Sequence, residues 1–113
     1  MRGFIMSLVK TATWNGQIIA QADEEAVLNI EGNTYFPMKT TKSTFFKRTD
    51  HHTTCPWKGE ASYFDITVDG KTNENAAWFY TSPKPDAIEK VGKDFTNYVS
   101  FWNGVEIGED EVK

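Results

Sequence analysis

Ser62-Tyr63-Phe64-Asp65-Ile66-Thr67-Val68-Asp69-Gly70 alternates cleanly until the last two residues. Phe64, Ile66 and Val68 fall on one side, and Tyr63, Asp65 and Thr67 on the other. A period of two marks a strand with one buried face. Asp69-Gly70 supplies the positive φ angles that a two-residue hairpin turn demands. The chain therefore returns along Ala76 to Tyr80, a second run of apolar and aromatic residues. A plain hairpin sets Tyr63 opposite Ala76 and Ala61 opposite Trp78.

Working outward, the same punctuation recurs at Asn15-Gly16, Glu31-Gly32-Asn33 and Asn103-Gly104. Thr11 to Trp14 with Gln17 to Ala22 reads as one hairpin, and Val27 to Ile30 with Thr34 to Phe36 as another. Phe95 to Trp102 has strand character, followed by a short strand from Val105 to Ile107. One segment departs from this. Pro83-Lys84-Pro85-Asp86 starts a helix in which Ala87, Ile88 and Val91 share a stripe, and Gly92 ends it. The fold class that follows is mainly β: a small antiparallel domain of tent or sandwich type, with a short α-helix near residues 85–91. Residues 1–9 read as a lead-in, 10–107 as the single β domain, and 108–113 as an acidic, frayed tail.

At 113 residues the chain fits one hydrophobic core. Eight Phe, four Trp and four Tyr supply large apolar areas to fill it. The formal charge of −4 speaks against a dedicated DNA binder, which needs a basic face to neutralise phosphates. The basic, aromatic stretch Lys39 to Arg48 is short, and reads as a solvated segment with Phe45 and Phe46 turned inward. Cys55 is the one cysteine, so neither an intrachain disulfide nor a paired-cysteine zinc knuckle can form. That suits a reducing, cytoplasmic setting. Phe4 to Val9 falls far short of the roughly 20 apolar residues of a spanning helix, so no membrane span is expected.

Chemistry-bearing residues concentrate in His51-His52-Thr53-Thr54-Cys55-Pro56-Trp57-Lys58-Gly59. Imidazole and thiolate are good zinc donors. Adjacent histidines on a strand point to opposite faces, however, so only one could share an ion with Cys55. No metal and no cofactor is expected. Cys55 beside His51 or His52 has the composition of a nucleophile and base, without a third member or an oxyanion device. No catalytic residue is assigned on that basis. Pro56 restrains the backbone and biases Cys55 towards an extended conformation, so the segment is expected to be ordered.

Several blocks resemble a known family. They are Trp14-Asn15-Gly16, Thr53 to Gly59, Ala61-Ser62-Tyr63, Asn75 to Tyr80, Pro83-Lys84-Pro85 and Tyr98 to Trp102. Together they resemble the domain of unknown function family 427, over roughly Lys10 to Ile107. The resemblance implies a β-tent, two meeting antiparallel sheets as in Mss4-like and cereblon-type ligand-binding domains. Many tents are pinned by zinc between two pairs of cysteines, a clasp that Cys55 alone does not supply. The resemblance implies no activity.

Alternation puts Trp78 and Tyr80 on one face and Ala77 and Phe79 on the other. An aromatic floor edged by polar groups is the ordinary form of a small-ligand pocket. The expected site comprises His51, His52, Cys55, Trp57, Lys58, Asp65, Glu74, Trp78 and Tyr80. The leading expectation is a small-molecule or peptide-binding domain. The alternatives are an enzyme using Cys55 with His51 or His52, and a structural protein-interaction module.

Overall fold

The computed structural model describes residues 7–112. Among these residues nine strands and one α-helix follow in chain order: β1 (Ser7–Trp14), β2 (Gln17–Asp23), β3 (Leu28–Ile30), β4 (Asn33–Pro37), β5 (Phe46–Cys55), β6 (Gly59–Val68), β7 (Lys71–Tyr80), α1 (Pro85–Val91), β8 (Tyr98–Phe101) and β9 (Glu106–Val112). They form a three-stranded sheet, β2-β1-β9, and a six-stranded sheet, β3-β4-β8-β7-β6-β5. All pairings are antiparallel. Among the described residues α1 is the only α-helix, and no helix is long and apolar enough to cross a membrane.

The tight turns have the chemistry that their residues dictate. At Asn15-Gly16, Glu31-Gly32, Asp69-Gly70 and Asn103-Gly104 both residues adopt positive φ, between 50° and 90°. Helix α1 begins with Pro85 in its first turn and ends at Gly92, whose left-handed conformation lets its N–H bond Ile88 O at 2.9 Å.

The principal core lies between the sheets. Ala12, Ile19, Ala20 and Ala22 of the small sheet meet Phe36, Ile66, Val68, Ala77, Phe79, Val99 and Phe101 of the large one. The rings interlock, with Phe64 stacked on Phe79 at 4.6 Å and Phe36 edge-on to Phe101 at 5.6 Å. Each fully buried large side chain contributes on the order of 1.5–3 kcal/mol. A half-exposed ion pair such as Lys10–Glu109 contributes less than about 1 kcal/mol. Ring packing therefore dominates over surface charge. Phe45 and Phe46 turn inward onto this core, and the Arg48 guanidinium lies 5.3 Å from the centre of the Phe79 ring.

A second cluster occupies the opposite face of the large sheet. Ile30, Tyr35, Ala61 and Tyr80 pack there against Ala87 of α1 and Phe95 of the following loop.

Several features differ from the sequence expectation. Strand β8 is shorter than expected, running only from Tyr98 to Phe101. Residues 108–112 are not a frayed tail: they continue β9, paired along β1 from Thr11 to Ser7. That pairing joins the first and last described strands, which local patterning does not reveal. Residues 7–9 belong to β1 rather than to a lead-in, and residues 1–6 lie outside the described residues. Finally, the β6–β7 hairpin is bulged. Val68 faces Lys71 and Ile66 faces Asn73, but beyond the irregularity Tyr63 faces Trp78 and Ala61 faces Tyr80. Asn75 adopts φ 52°, and its N–H donates to Asp65 Oδ1 at 2.8 Å. These extra residues on β7 move Trp78 opposite Tyr63, replacing the expected Tyr63–Ala76 and Ala61–Trp78 pairs.

Candidate functional site

The β5–β6 turn, Pro56-Trp57-Lys58, is fastened to the segment preceding α1. Lys84 N–H donates to Lys58 O at 3.0 Å, and Lys84 Nζ donates to Pro56 O at 2.6 Å. Gly59 leaves the turn at φ 117°, and a Cβ there would lie 3.4 Å from Ser82 O. A side chain at this position would therefore meet backbone strain, with its Cβ in ordinary van der Waals contact.

So fixed, the turn folds Lys58 inward over the second cluster. Lys58 is only 6% exposed. Its Nζ donates to Glu31 Oε1 at 2.6 Å and lies 5.3 Å from the Trp57 ring and 5.5 Å from the Tyr80 ring. Burial pulls the ammonium towards neutrality, but the hydrogen bond to the Glu31 carboxylate and that carboxylate's charge act the other way. The result is a lysine held above its ordinary range. The same hydrogen bond holds the Glu31 carboxyl below the ordinary carboxylate range. Burial pushes the Tyr80 hydroxyl up to about 12, against the pull of Lys58.

Beside Lys58 the large sheet opens into a cleft of about 210 Å³, lined by Lys58, Tyr63, Trp78, Tyr80 and Trp102. The bulge creates this grouping by setting Trp78 across from Tyr63. Trp78 stands edge-on to Tyr35 at 6.2 Å and to Trp102 at 6.4 Å. Both indole N–H groups are already engaged: Trp78 donates to Tyr35 Oη at 3.1 Å, and Trp102 to Asn75 O at 2.6 Å. The two indoles thus bring ring surface to the cleft while their donors are held elsewhere. Trp102 is 55% exposed and forms the outer wall.

On the far side of Lys58 lies a second groove of about 350 Å³, lined by Asn29, Ile30, Glu31, Trp57, Lys90 and Val91. Lys90 Nζ is 4.8 Å from the centre of the Trp57 ring.

The residues singled out from sequence are divided among these places. Lys58, Trp78 and Tyr80 line the cleft, whereas Trp57 lines the second groove. The His51 ring packs on Tyr63 at 4.7 Å, at the margin of the cleft. Cys55 is half-buried against the cluster that contains Tyr80. Adjacent strand residues diverge, so His52 leaves this group: its Nδ1 is 3.3 Å from Ser62 Oγ and 3.9 Å from Glu60 Oε1. Asp65 is occupied by the bulge, as the acceptor of Asn75 N–H. Glu74 is exposed and lines neither groove. His51 and His52 lie on β5.

Among the described residues no hydrogen bond joins Cys55 to an imidazole, and no three His, Cys, Asp or Glu side chains gather as metal ligands. Sequence reasoning omitted Tyr63, Trp102 and Glu31. Alternation already placed Tyr63 on the non-core face. Trp102 and Glu31 gave no local signal, because the contacts that recruit them span long stretches of chain.

The architecture defines the class: a two-sheet antiparallel β domain with an aromatic cleft on the outer face of its larger sheet. The chain belongs to the family described as Domain of unknown function (DUF427), whose family model matches residues 9–111. No curated protein matches the chain.

Proposed function

We propose that this protein is a binding module whose ligand, a small molecule or a side chain presented by a peptide, places a ring in the cleft of Lys58, Tyr63, Trp78, Tyr80 and Trp102. The observation that carries this is the convergence of aromatic walls on one buried ammonium, in a cleft that is open to solvent. At about 210 Å³ the cleft is smaller than the roughly 300–1,000 Å³ of drug-sized sites, which fits a single ring and a substituent. The edge-on packing of Trp78 and the fastening of the β5–β6 turn pre-arrange the walls, which lowers the ordering cost of binding. The free thiol of Cys55 suits a reducing compartment and supports a cytoplasmic setting.

Calorimetric titration with a panel of single-ring compounds tests the proposal. Binding should be lost in Trp78→Ala and retained in Cys55→Ser, with both variants folded by circular dichroism. Undiminished binding by a folded Trp78→Ala variant would refute it.

A further inference from the structure

We infer, on the footing of the binding role proposed above, that the cleft selects a flat ring bearing an anionic acceptor, a carboxylate being the simplest case. The ring would lie against Trp78 and Trp102, with the acceptor directed at Lys58 Nζ.

Charge and hydrogen-bond bookkeeping lead to this class. No carboxylate is among the side chains lining the cleft. The indole N–H groups of Trp78 and Trp102 are committed to Tyr35 Oη and Asn75 O. Lys58 carries three donors, and the hydrogen bond to Glu31 uses one of them. The lining is therefore aromatic surface with donors at one end, complementary to a ring with acceptors at one end.

The local charge has the same sign. Around Pro56-Trp57-Lys58 stand three ammonium groups: Lys58 itself, Lys84 on Pro56 O and Lys90 over the Trp57 ring. Glu31 is the carboxylate paired with Lys58, in a chain whose formal charge is −4. The turn is thus a basic spot on an acidic protein. A quaternary ammonium also suits aromatic faces. Here it would approach the Lys58 ammonium, whose repulsion opposes that attraction.

Three probes that share a phenyl ring separate the possibilities: benzoate, benzyl alcohol and benzyltrimethylammonium. Each is titrated into the full chain at constant ionic strength and followed by the indole N–H signals of Trp78 and Trp102. Benzoate should bind at least about tenfold more tightly than the cation. In Lys58→Met that preference should fall to within about twofold, and Lys58→Arg should restore it. The wild-type comparison needs no variant to fold. If benzyltrimethylammonium or benzyl alcohol binds as tightly as benzoate and shifts the same indoles, the anionic class is overturned while the cleft stands. If none of the three moves either indole signal, the binding role fails with it.

Discussion

Lys58 Nζ and Glu31 Oε1 lie 2.6 Å apart, joining two turns from hairpins at opposite edges of the six-stranded sheet. The β3–β4 and β5–β6 turns thereby meet over Tyr80, and one ion pair forms the ridge between the two grooves. The partners are unequal, since the lysine side chain is 7% exposed and the glutamate side chain 52%.

That inequality sets the outcome of mutation. Glu31→Gln leaves a buried ammonium without its counter-charge, whereas Lys58→Met leaves a carboxylate that water can solvate. Losing one partner of a fully buried pair costs about 3–5 kcal/mol. With Glu31 half in solvent the expected loss for Glu31→Gln is about 1–2 kcal/mol. Lys58→Met should cost less than Glu31→Gln. Urea denaturation of both variants checks the order.

The pair also sets a pH window. Glu31 has a folded-state pKa below its ordinary 4.5, so its contribution is present above that value and lost as pH falls through the folded pKa. Lys58 has a folded-state pKa above its ordinary 10.5, so its contribution is complete below that value and lost only at more alkaline pH. The stability difference between wild type and Glu31→Gln should be flat from about pH 5 to 10 and shrink towards pH 3. Denaturation at pH 3 and pH 7 measures it. A difference that is larger at pH 3 would contradict the assignment.

Asn75 is the residue on which the cleft's register turns. Its φ of 52° suits Gly and Asn and strains other side chains. Both Asn75→Gly and Asn75→Ala lose the Thr49 Oγ1 hydrogen bond to Asn75 Oδ1, 2.9 Å long in the wild type. Their difference therefore reports the backbone strain, net of the greater freedom that glycine has in the unfolded chain. Asn75→Ala should be less stable than Asn75→Gly by about 1 kcal/mol. Thermal unfolding of the two variants decides it.

The cleft walls differ in structural weight. Trp102 is mostly exposed, so Trp102→Ala should cost less than about 1 kcal/mol while weakening ring binding markedly. Half-buried Trp78 holds Tyr35 and Trp102 edge-on, and its removal should cost about 2–3 kcal/mol, less than a fully buried Trp. Cys55→Ser should stay within about 1 kcal/mol of wild type. Parallel chemical denaturation and calorimetric titration of the three variants separate stability from binding.

Much of this molecule is legible where chemistry is local. Asn-Gly and Asp-Gly mark the tight turns because few other pairs tolerate two positive φ angles. Pro85 and Gly92 bound α1 because each suits one helix end and not the other. The face shared by Tyr63, Trp78 and Tyr80 follows from alternation. What could not be read depends on distant partners. The β1–β9 pairing makes a strand of an acidic tail, and Trp102 reaches the cleft through the β7–β8 pairing. The Asn75 bulge changes register through a single backbone conformation, which Asn adopts readily without requiring it. The Glu31–Lys58 pair joins residues that no pattern connects.

The most direct measurement is an indole N–H spectrum of the full chain during titration with benzoate. The four tryptophans report separate places: Trp78 and Trp102 the cleft, Trp57 the second groove, and Trp14 the core between the sheets. Binding in the cleft should shift the Trp78 and Trp102 signals together and saturably, with smaller movement at Trp57 and none at Trp14. Saturable shifts confined to Trp57 or Trp14, or no shift at any of the four, would contradict the cleft as the binding site.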